Sequence, residues 1–108
     1  MPYDLEWSDR FTAGTASPAA GPVLAAIQGW LDERDPGSVA LPTVCTGFTD
    51  STYLRGAFGT AAYGYSPFLV TPADVVESGY HNRDEGVHVD DLAHAVDFHE
   101  DLAHRLLD

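Results

Sequence analysis

The stretch "VDDLAHAVDFHEDLAHRLL", residues 89–107, decides most about the predicted fold. Apolar residues recur in it every three or four positions, and this spacing predicts one long amphipathic helix. The predicted apolar stripe consists of Leu92, Ala95, Val96, His99, Leu102, Ala103 and Leu106. We expect the helix to pack along this stripe, with His99 inside the packed face and with His94 and His104 in solvent.

Two shorter helices are predicted upstream. Ser17 followed by Pro18 is a favourable helix start, and the pattern then continues over residues 22–35. The apolar face of this helix is predicted to contain Val23, Ile27, Trp30 and Leu31. A second helix is predicted over residues 49–58, with Thr49 or Asp50 as its N-cap.

Three apolar or alternating runs predict strands, over residues 3–7, 39–48 and 61–68. Residues 69–78 are predicted to form a loop with one helical turn. The order helix, strand, helix, strand, helix then predicts an α/β fold, with about three helices on one or both sides of a few strands. Cys45, the only cysteine, lies in one of these runs. We expect it to be buried. Because there is no second cysteine, an intramolecular disulfide and a zinc site of paired cysteines are both excluded.

The composition is strongly acidic. Asp and Glu number 17 against five basic residues, all arginine, for a net charge of −12. Such a surface repels phosphate backbones, so nucleic acid is excluded as an expected partner. No apolar run approaches the roughly 18 residues of a membrane span, and the first residues do not resemble a signal peptide. We interpret the charge as adaptation to a high-salt cytoplasm; an ordinary acidic protein is the alternative.

The loop "GYHNRDEGVH", residues 79–88, is the best candidate for a metal ligand. His81 lies beside carboxylates that could orient a neutral imidazole, whereas His88 directly precedes the long helix. Local spacing alone does not distinguish His81 from an ordinary loop histidine. The three histidines of residues 89–107 are five positions apart, so each is rotated by about 140° from the previous one. They cannot converge on one ion.

A resemblance that extends beyond this loop strengthens the case for a metal ligand within it. "GFTDSTYLRGAFGTAAYGYSPF" (47–68), followed by "HNRDEGVHVDDL" (81–92), resembles the C-terminal end of a zinc-dependent metallopeptidase and amidohydrolase family. That family includes aminoacylase, acetylornithine deacetylase, succinyl-diaminopimelate desuccinylase and glutamate carboxypeptidase. Its members share a Gly-x-Thr-Asp turn, a Gly-aromatic-x-Pro turn, a histidine loop and a last amphipathic helix, in the same order.

The resemblance implies roles for particular residues. His81 matches the last zinc ligand of the family, and Glu85 matches the acidic residue that supports this ligand or fixes its loop. A turn that faces the substrate is implied at Gly47, Thr49 and Asp50, together with Arg55 in the following helix. The metal is expected to be zinc, with cobalt or manganese as alternatives. Thr52 stands where the family often has an arginine. The chain therefore departs from the family at a position that bears on substrate recognition.

The resemblance also implies an organisation. Residues 1–16 would be the end of a lid-like strand and a linker, and residues 17–108 the C-terminal segment of a metallohydrolase catalytic domain. The other zinc ligands and the catalytic base of the family lie before the matching part. We therefore expect a C-terminal fragment or subunit that is inactive alone and needs an N-terminal portion or a complementing chain. Its substrates would be N-acyl amino acids or peptides, and its unpaired strand edges would favour self-association.

The sequence also allows two other interpretations. The first is a non-catalytic, salt-adapted α/β module that binds a protein partner or an amino-acid carboxylate. The second is an enzyme with a serine or cysteine nucleophile, which the absence of a Gly-x-Ser-x-Gly pattern disfavours.

Salt dependence tests the interpretation of the charge. We expect the Tm to rise as KCl increases from about 0.1 M to about 1 M, because the screening length falls from roughly 10 Å to roughly 3 Å. A neutral osmolyte at equal osmolality is the control, since it does not screen charge. A Tm that stays level or falls in KCl would favour an ordinary acidic protein.

Overall fold

The regular structure is helical. The computed structural model describes residues 2–6 and 13–108, and these residues contain four helices and no strand. The helices are α1 (Pro22–Arg34), α2 (Ser51–Phe58), α3 (Ala73–Gly79) and α4 (Val89–Leu107). None of these described helices combines the length and the apolar character needed to cross a bilayer.

The chain divides into two compact units. One unit combines the residues up to Pro18 with Cys45–Tyr63, and it contains α2. The other combines Ala19–Val44 with Gly64–Asp108, and it contains the remaining three helices. The segments of each unit are separated in sequence, so each unit depends on contacts between distant residues.

The prediction of an α/β fold is wrong. Residues 39–48 and 61–68 contain no strand, and neither do residues 3–6; Trp7, the last residue of the first predicted strand, lies outside the described residues. Apolar side chains of residues 39–48 face solvent, and Val44 is 88% exposed. A strand is stable only when a neighbouring strand pairs its backbone groups, and the described residues provide no such neighbour.

Side chains pair the backbone groups of these runs instead. The Ala40 N–H donates to Oε1 of Gln28 at 2.9 Å. The hydroxyl of Ser17 donates to the carbonyl of Ala62 at 2.8 Å and accepts from the N–H of the same residue at 2.9 Å. Ser17 therefore pairs both backbone groups of Ala62, as a neighbouring strand would. It does not cap α1, although the sequence had predicted that it would.

Helix α1 begins after Gly21, with Pro22 in the first turn, where a missing N–H is harmless. It ends at Arg34, just before Pro36, which cannot continue a helix. The predicted apolar face is confirmed, because Ile27 and Trp30 are buried and the other predicted members, Val23 and Leu31, are partly buried against them.

Helix α4 has the predicted bounds, and it begins where His88 caps it. Nδ1 of His88 accepts a hydrogen bond from the Asp90 N–H at 3.1 Å. Carboxylates lie in the first turn, and His104 and Arg105 lie in the last turn. The carboxylates at the start and Arg105 at the end oppose the helix dipole, so the sequence stabilises both ends of α4.

Helices α1 and α4 pack through aromatic residues. Phe98 is 1% exposed, and its ring centroid lies 5.2 Å from that of Trp30, edge to face. Tyr65 contacts Phe98 with the same separation between ring centroids. Arg105 of α4 pairs with Glu33 of α1 at 2.9 Å. The core therefore combines a few aromatic residues with Ile27 and other aliphatic side chains, and one ion pair between the two helices lies at its edge.

The predicted stripe of α4 is only partly correct. Leu102 is partly buried in the core, but Leu92 is 51% exposed and Val96 is 58% exposed. His99 is exposed, with Nδ1 2.7 Å from the Ala95 carbonyl, and it is not packed as predicted. The side chain of Phe98 is larger than its aliphatic neighbours, and its contact with the aromatic face of α1 sets the rotation of the helix.

Helices α2 and α3 are short and have no buried residues. Asp50 stands at the N-cap position of α2, but its side chain makes no capping hydrogen bond. Gly59 ends this helix with φ 65°, a conformation that glycine adopts without steric cost. Helix α3 follows Pro72 and is longer than the single turn that the sequence predicted.

Asp91 joins the first turn of α4 to the loop before α3. Its carboxylate is 1% exposed and accepts hydrogen bonds from the Leu69 N–H at 2.6 Å, the Val70 N–H at 2.8 Å and the Thr71 hydroxyl. Burial favours the neutral acid, but these hydrogen bonds outweigh it and lower the pKa of Asp91 from 3.8 to about 2. An ionised Asp91 therefore holds residues 69–71 in place.

We expect Asp91→Asn to lower the Tm at pH 7 by about 5 °C or more, because an amide cannot accept all three hydrogen bonds. The pKa of Asp91 is lower in the folded state than in the unfolded chain. Its contribution is therefore complete above about pH 4 and is lost as the pH falls toward 2. Thermal melts should show the variant and the wild type converging over that interval.

Asp97→Asn is the matched control, since it removes the same charge from an exposed position on α4. If both variants lost the same amount of stability at pH 7, the hydrogen bonds of Asp91 would not be the cause.

Candidate functional site

His81 lies on a tight turn after α3. Its φ of 58° is the only positive value for a residue other than glycine in the described part of the chain. Two backbone hydrogen bonds form the turn, from the Asn82 N–H to Gly79 at 3.3 Å and from the Glu85 N–H to Asn82 at 3.2 Å. A left-handed histidine is uncommon, and here the surrounding hydrogen bonds hold it. The imidazole is exposed.

Glu85 stabilises the turn through the backbone of His81. The His81 N–H donates to Oε2 of Glu85 at 3.1 Å. The carboxylate therefore fixes the position of the ligand candidate without contacting its ring. No described residue hydrogen bonds to either imidazole nitrogen of His81, so both nitrogens are accessible to a ligand.

The described residues do not complete a zinc site. No three His, Cys, Asp or Glu side chains within residues 2–6 and 13–108 are close enough to hold one ion. A catalytic zinc needs about three protein ligands, and His81 is a single one. The three histidines of α4 contact different neighbours. His94 was predicted to lie in solvent, but it is partly buried and packs on Trp30, with ring centroids 5.1 Å apart. His104 is exposed as predicted and bonds to Asp108 at 2.7 Å.

The predicted substrate-facing residues gather in the other unit. Gly47, Thr49 and Arg55 line one cavity of about 480 Å³, whereas Asp50 is not part of its lining. The remaining lining residues are Ala13, Gly14, Thr15, Cys45, Thr46, Phe48 and Thr52. Residues that the sequence separates by about forty positions therefore meet here, and hydroxyl groups provide much of the polar lining.

Arg55 is the charged group of this cavity. Its guanidinium donates to the Ser17 hydroxyl at 2.9 Å, to the Thr15 hydroxyl at 3.0 Å and to the Ala62 carbonyl at 2.6 Å. None of the described carboxylates lies within 4.0 Å of it. The positive charge is thus held in place by neutral groups, and an incoming anion could pair with it.

Thr15 and Cys45 are two of the cavity residues that sequence reasoning did not place there. Thr15 lies in a stretch of small residues that was interpreted as linker, and no local spacing indicates that it contacts Arg55. Cys45 was predicted to be buried, and this is wrong: it is exposed, with Sγ 3.7 Å from the Gly47 carbonyl. Its neighbours are apolar in sequence, but no strand is present to cover them.

The predicted site residues thus fall into two groups. His81 and Glu85 contact each other in the unit with α4, and Gly47, Thr49 and Arg55 share a cavity in the unit with α2. Comparison with protein-family models, with characterised proteins and with solved structures finds no match to this chain. The metallohydrolase resemblance therefore stays a prediction.

Arg55→Gln should loosen the unit that contains α2. Glutamine cannot donate to Ser17, Thr15 and Ala62 together, so we expect amide exchange at residues 13–17 and at Ala62 to become about tenfold faster or more. Hydrogen exchange with mass spectrometry measures this. Arg83→Gln is the control, because it removes the same charge from an exposed loop. Equal exchange in the two variants would show that these hydrogen bonds do not hold the unit together.

Proposed function

We propose that this chain supplies one metal ligand, His81, and a carboxylate-binding pocket around Arg55 to a metal-dependent hydrolase. Its substrates are N-acyl amino acids or peptides, and the bond cleaved is an amide. The metal is zinc, with cobalt or manganese as alternatives. The other ligands and the general base come from a complementing polypeptide, the N-terminal portion of the same enzyme. The chain alone is inactive.

The observation that carries the proposal is the His81 turn. An exposed imidazole is held on a left-handed backbone, and its own N–H is fixed by Glu85 at 3.1 Å. A metal ligand must hold its position before the metal arrives, because each degree of freedom lost on binding weakens affinity. The resemblance of residues 47–68 and 81–92 to the metallohydrolase family selects the same histidine.

Arg55 suits the carboxylate of the proposed substrate. It is a cation without a carboxylate partner among the described residues, in a protein of net charge −12. A planar guanidinium pairs with a carboxylate through two parallel hydrogen bonds, which would require Arg55 to exchange one of its present acceptors. Thr49 and Thr52 add hydroxyl donors to the same cavity.

The surface supports a complementing chain. At least twenty large hydrophobic residues are exposed, whereas the buried hydrophobic core contains Ala26, Ile27, Trp30 and Phe98. A surface this apolar favours association with another protein surface. We assign the N-terminal portion of the enzyme as the partner, with self-association as the result expected when that portion is absent. The acidic charge favours a high-salt cytoplasm as the location.

Complementation tests the proposal. We expect the purified chain with added zinc or cobalt not to hydrolyse N-acetyl amino acids. Co-expression with a candidate N-terminal partner that carries a His-x-Asp motif should restore turnover. His81→Ala should then reduce kcat/KM by about 100-fold or more, since loss of groups that merely orient metal ligands already costs 10–100-fold.

His104→Ala is the matched control, because it removes an exposed histidine whose contact is Asp108 at the end of α4. Full activity of the His81→Ala complex would contradict the ligand assignment. Turnover by the chain alone would contradict the need for a partner. A stable monomer that no such partner activates would favour the non-catalytic binding module.

A further inference from the structure

Helix α4 has a second apolar face, which α1 does not cover. Among the described helices α1 alone packs on α4, and it does so on the side of Phe98 and Leu102. On the other side six positions are exposed to solvent, and five of them are apolar. These six residues, here called the outer seam, are Val89, Leu92, Val96, His99, Ala103 and Leu106. Val89 is 73% exposed, so the seam is open from its first residue.

The spacing of the outer seam is the spacing of a helix that pairs with another helix. From Val89 to Leu106 its members are alternately three and four positions apart, which is the a and d pattern of a coiled coil. The pattern extends over about two and a half heptads, and α4 is 19 residues or about 28 Å long. The solvent side of a surface helix is normally polar and has no such repeat. The seam is therefore suited to a second helix.

The outer seam is complementary to itself when two copies of α4 run in opposite directions. The first member of one copy then faces the last member of the other, and the same holds inward along the seam. The facing pairs are Val89 with Leu106, Leu92 with Ala103, and Val96 with His99. The large Leu92 meets the small Ala103, and such alternation lets facing side chains interdigitate.

The charges of α4 also favour opposite directions. Asp90 is an exposed acid in the first turn, and a parallel copy would bring its own Asp90 to the same end. In the antiparallel register the two Asp90 carboxylates are more than about 20 Å apart, well beyond the screening length of roughly 10 Å at 0.1 M salt. Glu100 is exposed beside the seam, and there it faces the small Ala93 of the other copy.

We propose that the outer seam of α4 pairs with the outer seam of a second copy of this chain, in a two-fold antiparallel dimer. Two and a half heptads bury less than the roughly 800 Å² per partner of a standard interface, so the dimer is weak. Each copy has a net charge of −12, and the copies repel until salt screens them. The dimer is independent of the proposed hydrolase, because it uses neither His81 nor the cavity around Arg55.

Analytical ultracentrifugation of the full chain tests the dimer. In about 1 M KCl we expect a monomer–dimer equilibrium with Kd about 10–100 µM, and a Kd about tenfold higher in about 0.1 M KCl. Leu92→Glu should raise the Kd in about 1 M KCl by about 30-fold or more, because it places an unpaired charge in the seam. Leucine and glutamate have similar helix propensities, so α4 should form in the variant. Leu41→Glu is the matched control, since Leu41 is 76% exposed and lies outside the helices.

The direction of the helices is measured with spin labels. A nitroxide on Val89→Cys, in a chain with Cys45→Ser, should give a separation between labels of about 25–35 Å by pulsed electron resonance. A parallel pair would give about 10–15 Å, which would overturn the proposal. A monomer in 1 M KCl, or equal weakening by Leu41→Glu and Leu92→Glu, would overturn it as well. Dissociation of the dimer by an N-terminal partner would assign the seam to that partner and contradict the proposal.

Discussion

The contact between Trp30 and Phe98 is the interaction on which the larger unit depends. It joins α1 to α4, the two longest helices, and both residues are almost fully buried. An edge-to-face aromatic pair adds about 0.5–1.5 kcal/mol to the burial of the two rings. Few other residues are buried, so loss of either ring would remove most of the core.

In each of the two units, polar side chains provide the backbone pairing that a sheet provides in an α/β protein. Ser17 pairs both backbone groups of Ala62, Gln28 pairs Ala40, and Asp91 pairs the backbone of residues 69 and 70. Each of these side chains binds a segment far from it in sequence. Extended apolar segments can thus remain unpaired with one another while their backbone polar groups still find partners.

This explains which features the sequence could predict. The 3.6-residue period of α1 and α4 is a local signal, and it placed both helices and the buried face of α1 correctly. An apolar run such as residues 39–48 does not reveal whether a neighbouring strand exists, so three strands were predicted where the described residues form none. The rotation of α4 depended on Phe98 meeting the aromatic face of α1, which spacing alone does not reveal.

The same distinction between local signals and long-range contacts applies to the candidate sites. The resemblance selected Gly47, Thr49, Asp50 and Arg55, and the structure brings all of these except Asp50 into one cavity. It gave no signal for Thr15, which accepts a hydrogen bond from Arg55 across forty positions of sequence.

The arginines show why the cavity around Arg55 differs from the rest of an acidic surface. With 17 carboxylates available, pairing an arginine with an acid is the simplest arrangement, and Arg105 follows it with Glu33 and Asp101. Arg55 differs, because it lines a cavity and no described carboxylate lies within 4.0 Å of it. At an effective dielectric constant of about 20, a carboxylate 4 Å from its guanidinium gains about 4 kcal/mol of Coulomb energy before desolvation. A ligand carboxylate can gain there what the acids of the chain itself do not take.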